Sequence, residues 1–335
     1  MKCITLGARG GLDRMTVTDR PDPGPPGPRE VRVRLHASSL NFHDYKVVTG
    51  DRPHTEGLIP MADGAGVVES AGEAVSEFAA GDHVVSTFFP GWLEGPPPFA
   101  DFKTVPGDGV DGYARDVVVA AASAFTRAPK GWSHLEAATL TTAGVTAWRA
   151  LVADAGLKAG DTILVLGTGG VSIVALQIAT AMGATAIVTS SSDSKLERAR
   201  ALGAAHTINY RSEPEWGAEV RRLTSGRGVD HVLEMGGPGT LAQSITAVRT
   251  GGHISLIGTL TGTAGPVPTA AMMVKQIRLQ GVIVGSRRHQ MDLVRALDTT
   301  GIHPVIDRTF AFEALADAFR HEESGAHFGK IAVEY

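Results

Sequence analysis

The stretch from Thr162 to Ala179 runs through apolar and β-branched residues into Gly167-Thr168-Gly169-Gly170-Val171-Ser172, then into an Ala-, Leu- and Ile-bearing segment. This pattern reads as strand, tight turn and helix. Gly167 can take a sharp backbone path out of the strand. Gly169 and Gly170 carry no Cβ to hold an anion away from the backbone N–H groups. A helix opening near Val171 would offer free N–H groups and a positive dipole end, which together suit a pyrophosphate. The sixth position of the G-x-G-x-x-G pattern is Ser172, still small enough for close packing of helix on strand. About 20 residues further on, where a carboxylate would hold the ribose 2′-OH of NAD, the chain reads Thr189-Ser190-Ser191-Ser192. Hydroxyl groups can donate to a 2′-phosphate that a carboxylate would repel. Asp193 is the opposing charge, and it reads as a helix N-cap for the segment from Lys195 onward. Lys195 and Arg198 would also fit a solvated helix face.

The elements that must position such a turn follow from the pattern around it. After Trp132, Ser133-His134-Leu135-Glu136 reads as an N-cap with Glu at N3. A second helical stretch covers residues 143–153. Strands are expected at 185–189, 206–208, 229–235, 252–257 and 279–284, with helices at 195–202, 216–224 and 240–248 between them. That succession implies a parallel sheet with helices on both faces. The first ~125 residues read instead as β-rich and turn-rich. Strands are expected at 31–35, 66–70 and 83–86, after the proline-laden loop 21–28. The last segment carries helices near 291–299 and 312–320 and a strand at 330–333.

With 31 basic and 35 acidic side chains the net charge is −4, and no run of like charges marks a nucleic-acid or membrane-surface binder. No apolar run approaches the ~20 residues that span a bilayer, and Met1 to Thr5 lacks a signal-peptide core, so a cytoplasmic protein is expected. The single cysteine, Cys3, excludes an intramolecular disulfide and a cysteine-based zinc cluster. The twelve histidines show no i, i+4 pair; His231, His253, His303 and His327 are scattered and read as solvated or hydrogen-bonded side chains.

Five segments occur in an order that resembles the medium-chain dehydrogenase/reductase superfamily: Leu40-Asn41-Phe42-His43-Asp44, Asp63-Gly64-Ala65-Gly66-Val67-Val68, Ala80-Gly81-Asp82-His83-Val84, Thr146-Ala147-Trp148-Arg149-Ala150-Leu151, and the Gly167 cluster. Within it the chain is similar to the zinc-free quinone oxidoreductase branch. The resemblance implies an α/β fold with a Rossmann doubly wound parallel sheet over residues 126–286. Residues 1–125 and 287–335 would form a discontinuous GroES-like β-rich catalytic domain. In zinc-bearing relatives the catalytic metal is held by Cys, His and Cys, and those places fall on Asn41, Ala62 and Thr142, which lack the thiolates and imidazole such a site prefers. The four-cysteine structural zinc loop would fall near Pro96 to Asp116, which has no cysteine.

The resemblance also implies the remaining assignments. Ser190, Lys195 and Tyr210, the last followed by Arg211, would surround the 2′-phosphate, which favours NADP(H). Thr146 would face the nicotinamide, and the segments at Gly258 and Val284 would meet its carboxamide; with Gly167, Gly169, Gly170 and Val171 these complete the cofactor set. Asn41 would donate its amide to a substrate oxygen. His43 aligns with a proton-relay hydroxyl and would act as general acid, with Tyr45 as rival donor. Asp44 and Asp63 read as structural carboxylates. Arg287 and Arg288 touch the cofactor or form a solvated turn, the latter being preferred, and Lys330, in a Gly-Lys-Ile segment shared by the family, has no assigned role. Two or three of Phe42, Phe88, Phe89, Trp92 and Phe99 would face a small-molecule substrate. Without zinc, hydride transfer suits a quinone or an activated C=C bond, where conjugation spreads the charge. The alternatives are a zinc-free NADP-dependent alcohol or aldehyde oxidoreductase, and an NADPH-binding protein without useful turnover. A homodimer is the expected assembly.

Overall fold

The computed structural model describes residues 1–98 and 101–335, and they fall into two compact units. One unit comprises Met1–Val145 with Val284–Tyr335, the other Thr146–Ile283.

The first unit is built on strands β1 (Lys2–Leu6), β2 (Met15–Asp19) and β3 (Glu30–Ser39), followed by helix α1 (Phe42–Val48). Strands β4 (Ala65–Ala71), β5 (His83–Ser86), β6 (Val117–Ala121) and β7 (Phe125–Arg127) and helix α2 (His134–Ala138) come next. Strand β3 shows why: Val31, Val33, Leu35 and Ala37 alternate inward along it and are buried, while Arg32 and Arg34 point to Glu69 on the other face. β3 pairs antiparallel with β4 and β6, and β4 continues to β5 and β7. Helix α2 opens with the expected capping box: Ser133 Oγ accepts from Glu136 N, and the Glu136 carboxylate accepts from Ser133 N.

The second unit starts within a short helix α3 (Val145–Trp148), flanked by π-helical turns at Leu140–Gly144 and Arg149–Ala153. It continues through β8 (Thr162–Leu166), α4 (Gly170–Ala181), β9 (Thr185–Ser190), α5 (Asp193–Ala201), β10 (His206–Asn209), α6 (Trp216–Leu223), β11 (Val229–Glu234), α7 (Leu241–Ala247), β12 (Val248–Leu256), α8 (Thr269–Lys275) and β13 (Arg278–Gly281). The six strands are parallel in the order β10-β9-β8-β11-β12-β13, the doubly wound arrangement of a Rossmann domain. Its core is apolar and continuous, from Leu164 and Ile187 in the strands to Trp216, Val220, Leu241 and Ile245 on the helices.

The chain then returns to the first unit with α9 (Arg287–Thr300), β14 (Ile306–Ala311), α10 (Leu315–Glu323) and β15 (Lys330–Glu334). Strand β15 lies between β14 and β3, so the last segment completes the first unit's sheet. No helix among the described residues is long and apolar enough to cross a membrane.

Several boundaries differ from the sequence reading. The units divide after Val145 and after Ile283, not after residues 125 and 286, because β7 pairs with β5 and α2 packs on β3. The strand expected to reach Val284 stops at Gly281, and Val284 has φ +45°, a left-handed value that strains a β-branched residue. The helix expected to open near residue 291 opens at Arg287, capped by Ser286.

Candidate active and cofactor sites

In the Rossmann unit the glycine turn lies at the carboxyl ends of the central strands. Gly167 has φ +78° with open space where a Cβ would point, so it is conformation and not crowding that calls for glycine. Its N–H donates to Thr189 O at 2.9 Å, which ties the end of β8 to the end of β9. Gly169 is the N-cap of α4, and Gly170 and Val171 form its first turn. Ser172 is buried and its Oγ donates to Leu166 O at 2.8 Å. The residue in the third glycine's place thus fastens helix to strand with a hydrogen bond.

Three further predicted residues gather beside this turn. Ser190 ends β9 and is buried, and its Oγ accepts from Ser192 N at 3.2 Å. Tyr210 follows β10, is exposed, and donates its N–H to Ser190 O at 3.1 Å. Lys195 stands in the first turn of α5. Asp193 is not the N-cap expected of it: Ser192 caps α5, and the Asp193 carboxylate accepts from Asn209 Nδ2 at 2.7 Å. Gly258 lies beyond β12, where a Cβ would stand 2.1 Å from Met235 O, so only glycine fits. Thr146 is buried in α3.

Sequence reasoning missed Glu234 at the end of β11. Its fully buried carboxylate accepts from Gly236 N at 2.8 Å, Gly237 N at 3.0 Å, Thr240 Oγ1 at 2.5 Å and Ser244 Oγ, and so shapes the Gly-rich loop that follows the strand. The signal was an acidic residue ending a buried apolar strand and followed by two glycines.

In the first unit, Asn41 and Asp44 open α1. Asp44 is buried; its Oδ2 accepts from Asn41 N at 3.1 Å and from Asn41 Nδ2 at 3.0 Å, and its Oδ1 accepts from Ala62 N at 2.9 Å. Burial, reinforced by the Asp63 charge, pushes the Asp44 carboxyl up to about 6 against the opposing pull of His43 and these hydrogen bonds. Asp63 is fully buried and accepts from Ser39 Oγ and Thr142 Oγ1, both at 2.6 Å. Both carboxylates are therefore braces between loops, as read from the sequence. They draw together Asn41, Ala62 and Thr142, the three places that the family resemblance assigns to zinc ligands.

A cation does reach this cluster. Lys330, the first residue of β15, is buried; its Nζ donates to Leu40 O and to Asn41 Oδ1, the latter at 2.5 Å, and stands 3.6 Å from Asp63 Oδ2. An ammonium has three protons, and three oxygens surround it. Asn41 is consequently committed, its carbonyl to Lys330 and its amide to Asp44 and, at 3.4 Å, to Ser39 O. The expectation that this amide polarises a substrate oxygen does not match that arrangement.

His43 and Tyr45 stand two residues apart on α1, roughly 200° around the helix, and so serve different faces. The Tyr45 hydroxyl donates to Glu323 Oε1 at 2.6 Å, and this bond, with partial burial, pushes its pKa up to about 12. His43 is enclosed by Phe88, edge-on at 5.2 Å, and by Phe102 at 5.1 Å, with Nε2 3.2 Å from Asp108 Oδ2. Phe88, Phe89 and Trp92 are buried and pack in sequence, whereas Phe42 is exposed and stacks on Tyr45. Phe99 lies outside the described residues. The solvated turn preferred for Arg287 and Arg288 is instead the first turn of α9: Arg287 pairs with Glu77 at 2.6 Å and donates to Phe125 O at 2.9 Å, and Arg288 pairs with Asp292 at 3.1 Å.

Comparison with known proteins places the chain. Residues 27–130 match the alcohol dehydrogenase GroES-like domain and residues 170–300 the zinc-binding dehydrogenase model. A zinc-type alcohol dehydrogenase-like protein of Schizosaccharomyces pombe is 41% identical over 97% of this chain and 96% of its own length. The chain belongs to the medium-chain dehydrogenase/reductase superfamily. Among solved members, an NAD-dependent alcohol dehydrogenase is 35% identical, with a TM-score of 0.90 over 100% of both chains. A quinone oxidoreductase of Pseudomonas syringae is 27% identical, with a TM-score of 0.83 over 100% of this chain and 99% of its own. Members of this superfamily are oxidoreductases that bind NAD(P), and the β-rich unit and the doubly wound sheet correspond to their two domains.

Proposed function

We propose that this oxidoreductase works without zinc and transfers hydride from NADPH to a quinone or to the activated C=C bond of an α,β-unsaturated carbonyl. The observation that carries the reading is the chemistry at the three places that the resemblance assigns to zinc ligands, beside the buried ammonium that Lys330 brings to Asn41 and Asp63. Asn41, Ala62 and Thr142 offer an amide already engaged, a methyl group and a hydroxyl bonded to Asp63, which do not fit zinc. A substrate whose own conjugation disperses the developing charge needs no Lewis acid. His43 is the proton donor in this reading, favoured over Tyr45 by the latter's bond to Glu323 and raised pKa.

Preference for NADPH is supported by Ser190 at the end of β9, Tyr210 just beyond β10 and Lys195 in the first turn of α5, and by Asp193 being occupied with Asn209. The Gly167 turn and the first turn of α4 would hold the pyrophosphate, and the bound dinucleotide would supply the hydride. A zinc-free alcohol or aldehyde oxidoreductase is the second reading, favoured by the alcohol dehydrogenase names of two similar proteins. The assembly we infer is a dimer of two copies through the β13 edge. Among the described residues that strand pairs on one side only, and Met273 and Val274 on the nearby α8 are about three-quarters exposed.

Oxidation of NADPH and NADH should be followed with 1,4-benzoquinone, an enone and an aldehyde, alongside the metal content of the purified protein. Turnover of quinone or enone at substoichiometric zinc, undiminished by chelator, is expected. Ser190→Asp should shift the kcat/KM ratio from NADPH toward NADH at least tenfold. Activity with aldehyde alone, or one equivalent of essential zinc, would sink the reading.

A further inference from the structure

The loop that in relatives carries a four-cysteine metal site is fastened here by other means. Val105 O accepts from Asp108 N at 3.1 Å and Gly109 N at 3.0 Å, and Gly107 N donates to Val110 O at 2.8 Å. Gly107 sits at φ +81°, where a Cβ would stand 2.6 Å from Met61 N. Asp111 stitches the loop outward, accepting from Ile59 N at 3.0 Å and Arg20 Nη1 at 2.9 Å. Between these anchors the Asp108 carboxylate is presented inward, with a side chain only 9% exposed. Its Oδ2 accepts from Arg52 Nε at 2.9 Å, pairs with Arg52 Nη2 at 2.8 Å and faces His43 Nε2 at 3.2 Å, off the line of a well-directed hydrogen bond. The Arg52 guanidinium lies 4.3 Å over Phe102, the same ring that closes one side of His43.

We propose that Asp108 is the positioning residue of His43: its carboxylate orients the imidazole and stands as its counter-charge, while Arg52 limits that effect by sharing the same carboxylate oxygen. This rests on the reading of His43 as proton donor. Burial opposes ionisation of Asp108, but His43 and Arg52 outweigh it and hold the carboxyl below its ordinary value, so the counter-charge is present at neutral pH. Among the described residues Asp44, on the same helix, also places a charge near the ring and is engaged with Asn41 and Ala62. Phe88 and Phe102, from the remaining neighbours, are uncharged. The two partners of the carboxylate therefore have opposite effects on His43. Removing Asp108 deletes an anion and exposes the ring to Arg52; removing Arg52 leaves the anion to the ring alone.

The test is the ring titration of His43, read by NMR of carbon-labelled histidine in the full-length protein and assigned by the signal missing in His43→Phe. Asp108→Asn should lower the midpoint by about one pH unit or more, and Arg52→Gln should raise it. The high-pH limb of kcat/KM should move in the same two directions with KM little changed, and Asp108→Glu should restore most of the wild-type profile. A midpoint unmoved by Asp108→Asn, or moved the same way by both substitutions as in general loop damage, overturns the proposal. Full turnover in His43→Phe would instead remove the proton-donor role, and with it the catalytic half of the proposal, even if the titration moves as expected.

Discussion

Lys330→Met replaces a buried ammonium with an apolar chain of similar length. Three oxygens lose their donor or counter-charge: Leu40 O, Asn41 Oδ1 and Asp63 Oδ2. Asp63 keeps its hydroxyl donors Ser39 and Thr142, yet its charge then stands uncompensated at zero exposure. Removing one partner of a buried ion pair costs about 3–5 kcal/mol. The longer 3.6 Å approach to Asp63 argues for the lower part of that range. The two carbonyl oxygens add about 1–3 kcal/mol for each acceptor left without a donor in the interior. A loss of about 5 kcal/mol or more, several thousandfold in the unfolding equilibrium, is therefore expected in the first unit.

The loss should be read by urea unfolding at pH 7, with Trp92 and Trp132 retained as fluorescence reporters of that unit and the other two tryptophans, Trp148 and Trp216, replaced by Phe. The midpoint should fall with the slope unchanged, as for a change in stability alone. Lys330→Met with Asp63→Asn removes both charges, and replacing a buried pair by neutral groups is far less costly than halving it. The double variant should thus be more stable than Lys330→Met alone, with a coupling of about 2 kcal/mol or more. A single-variant loss below about 1 kcal/mol, or a double variant as unstable as the sum of the two, would refute the argument that Lys330 compensates Asp63 and secures Asn41.

Two further outcomes follow from the Rossmann unit. His253 is 2% exposed with both ring nitrogens unbonded, and burial, then Arg278 and His231, lower its pKa to about 4. The unfolded chain takes up a proton below ~6.5 that the fold refuses, so stability is complete above that pH and falls as pH drops toward 4, by about 2–3 kcal/mol for this group; His253→Leu should flatten the slope across this window in thermal melts. For the proposed dimer, Met273→Lys with Val274→Asp places charges on the exposed face of α8 and should yield monomers in sedimentation equilibrium at micromolar concentration, and an unchanged mass would place the interface elsewhere.

How much was legible beforehand depends on whether the signal was local. The glycine turn, the capping box at Ser133 and the strands of the parallel sheet rest on neighbouring residues and could be read directly. Boundaries set by long-range pairing could not: nothing near Phe125 reveals that β7 continues the first unit's sheet, and nothing near Val284 reveals its left-handed backbone. The site divides in the same way. Asp44 and Asp63 were recognisable as braces, but what they brace depends on Lys330, some 290 residues from Asn41 in the chain. Asp108 was hidden in the same way, because Arg52 and His43, which face its carboxylate, lie far from it in the chain. Both omissions share one physical form. In each, a buried charge is balanced by a side chain with no sequence proximity to it. The partners of a buried charge therefore have to be sought among Lys, Arg, Asp and Glu within about 4 Å of it, wherever they lie in the chain, since an unpaired charge there would cost the fold several kcal/mol.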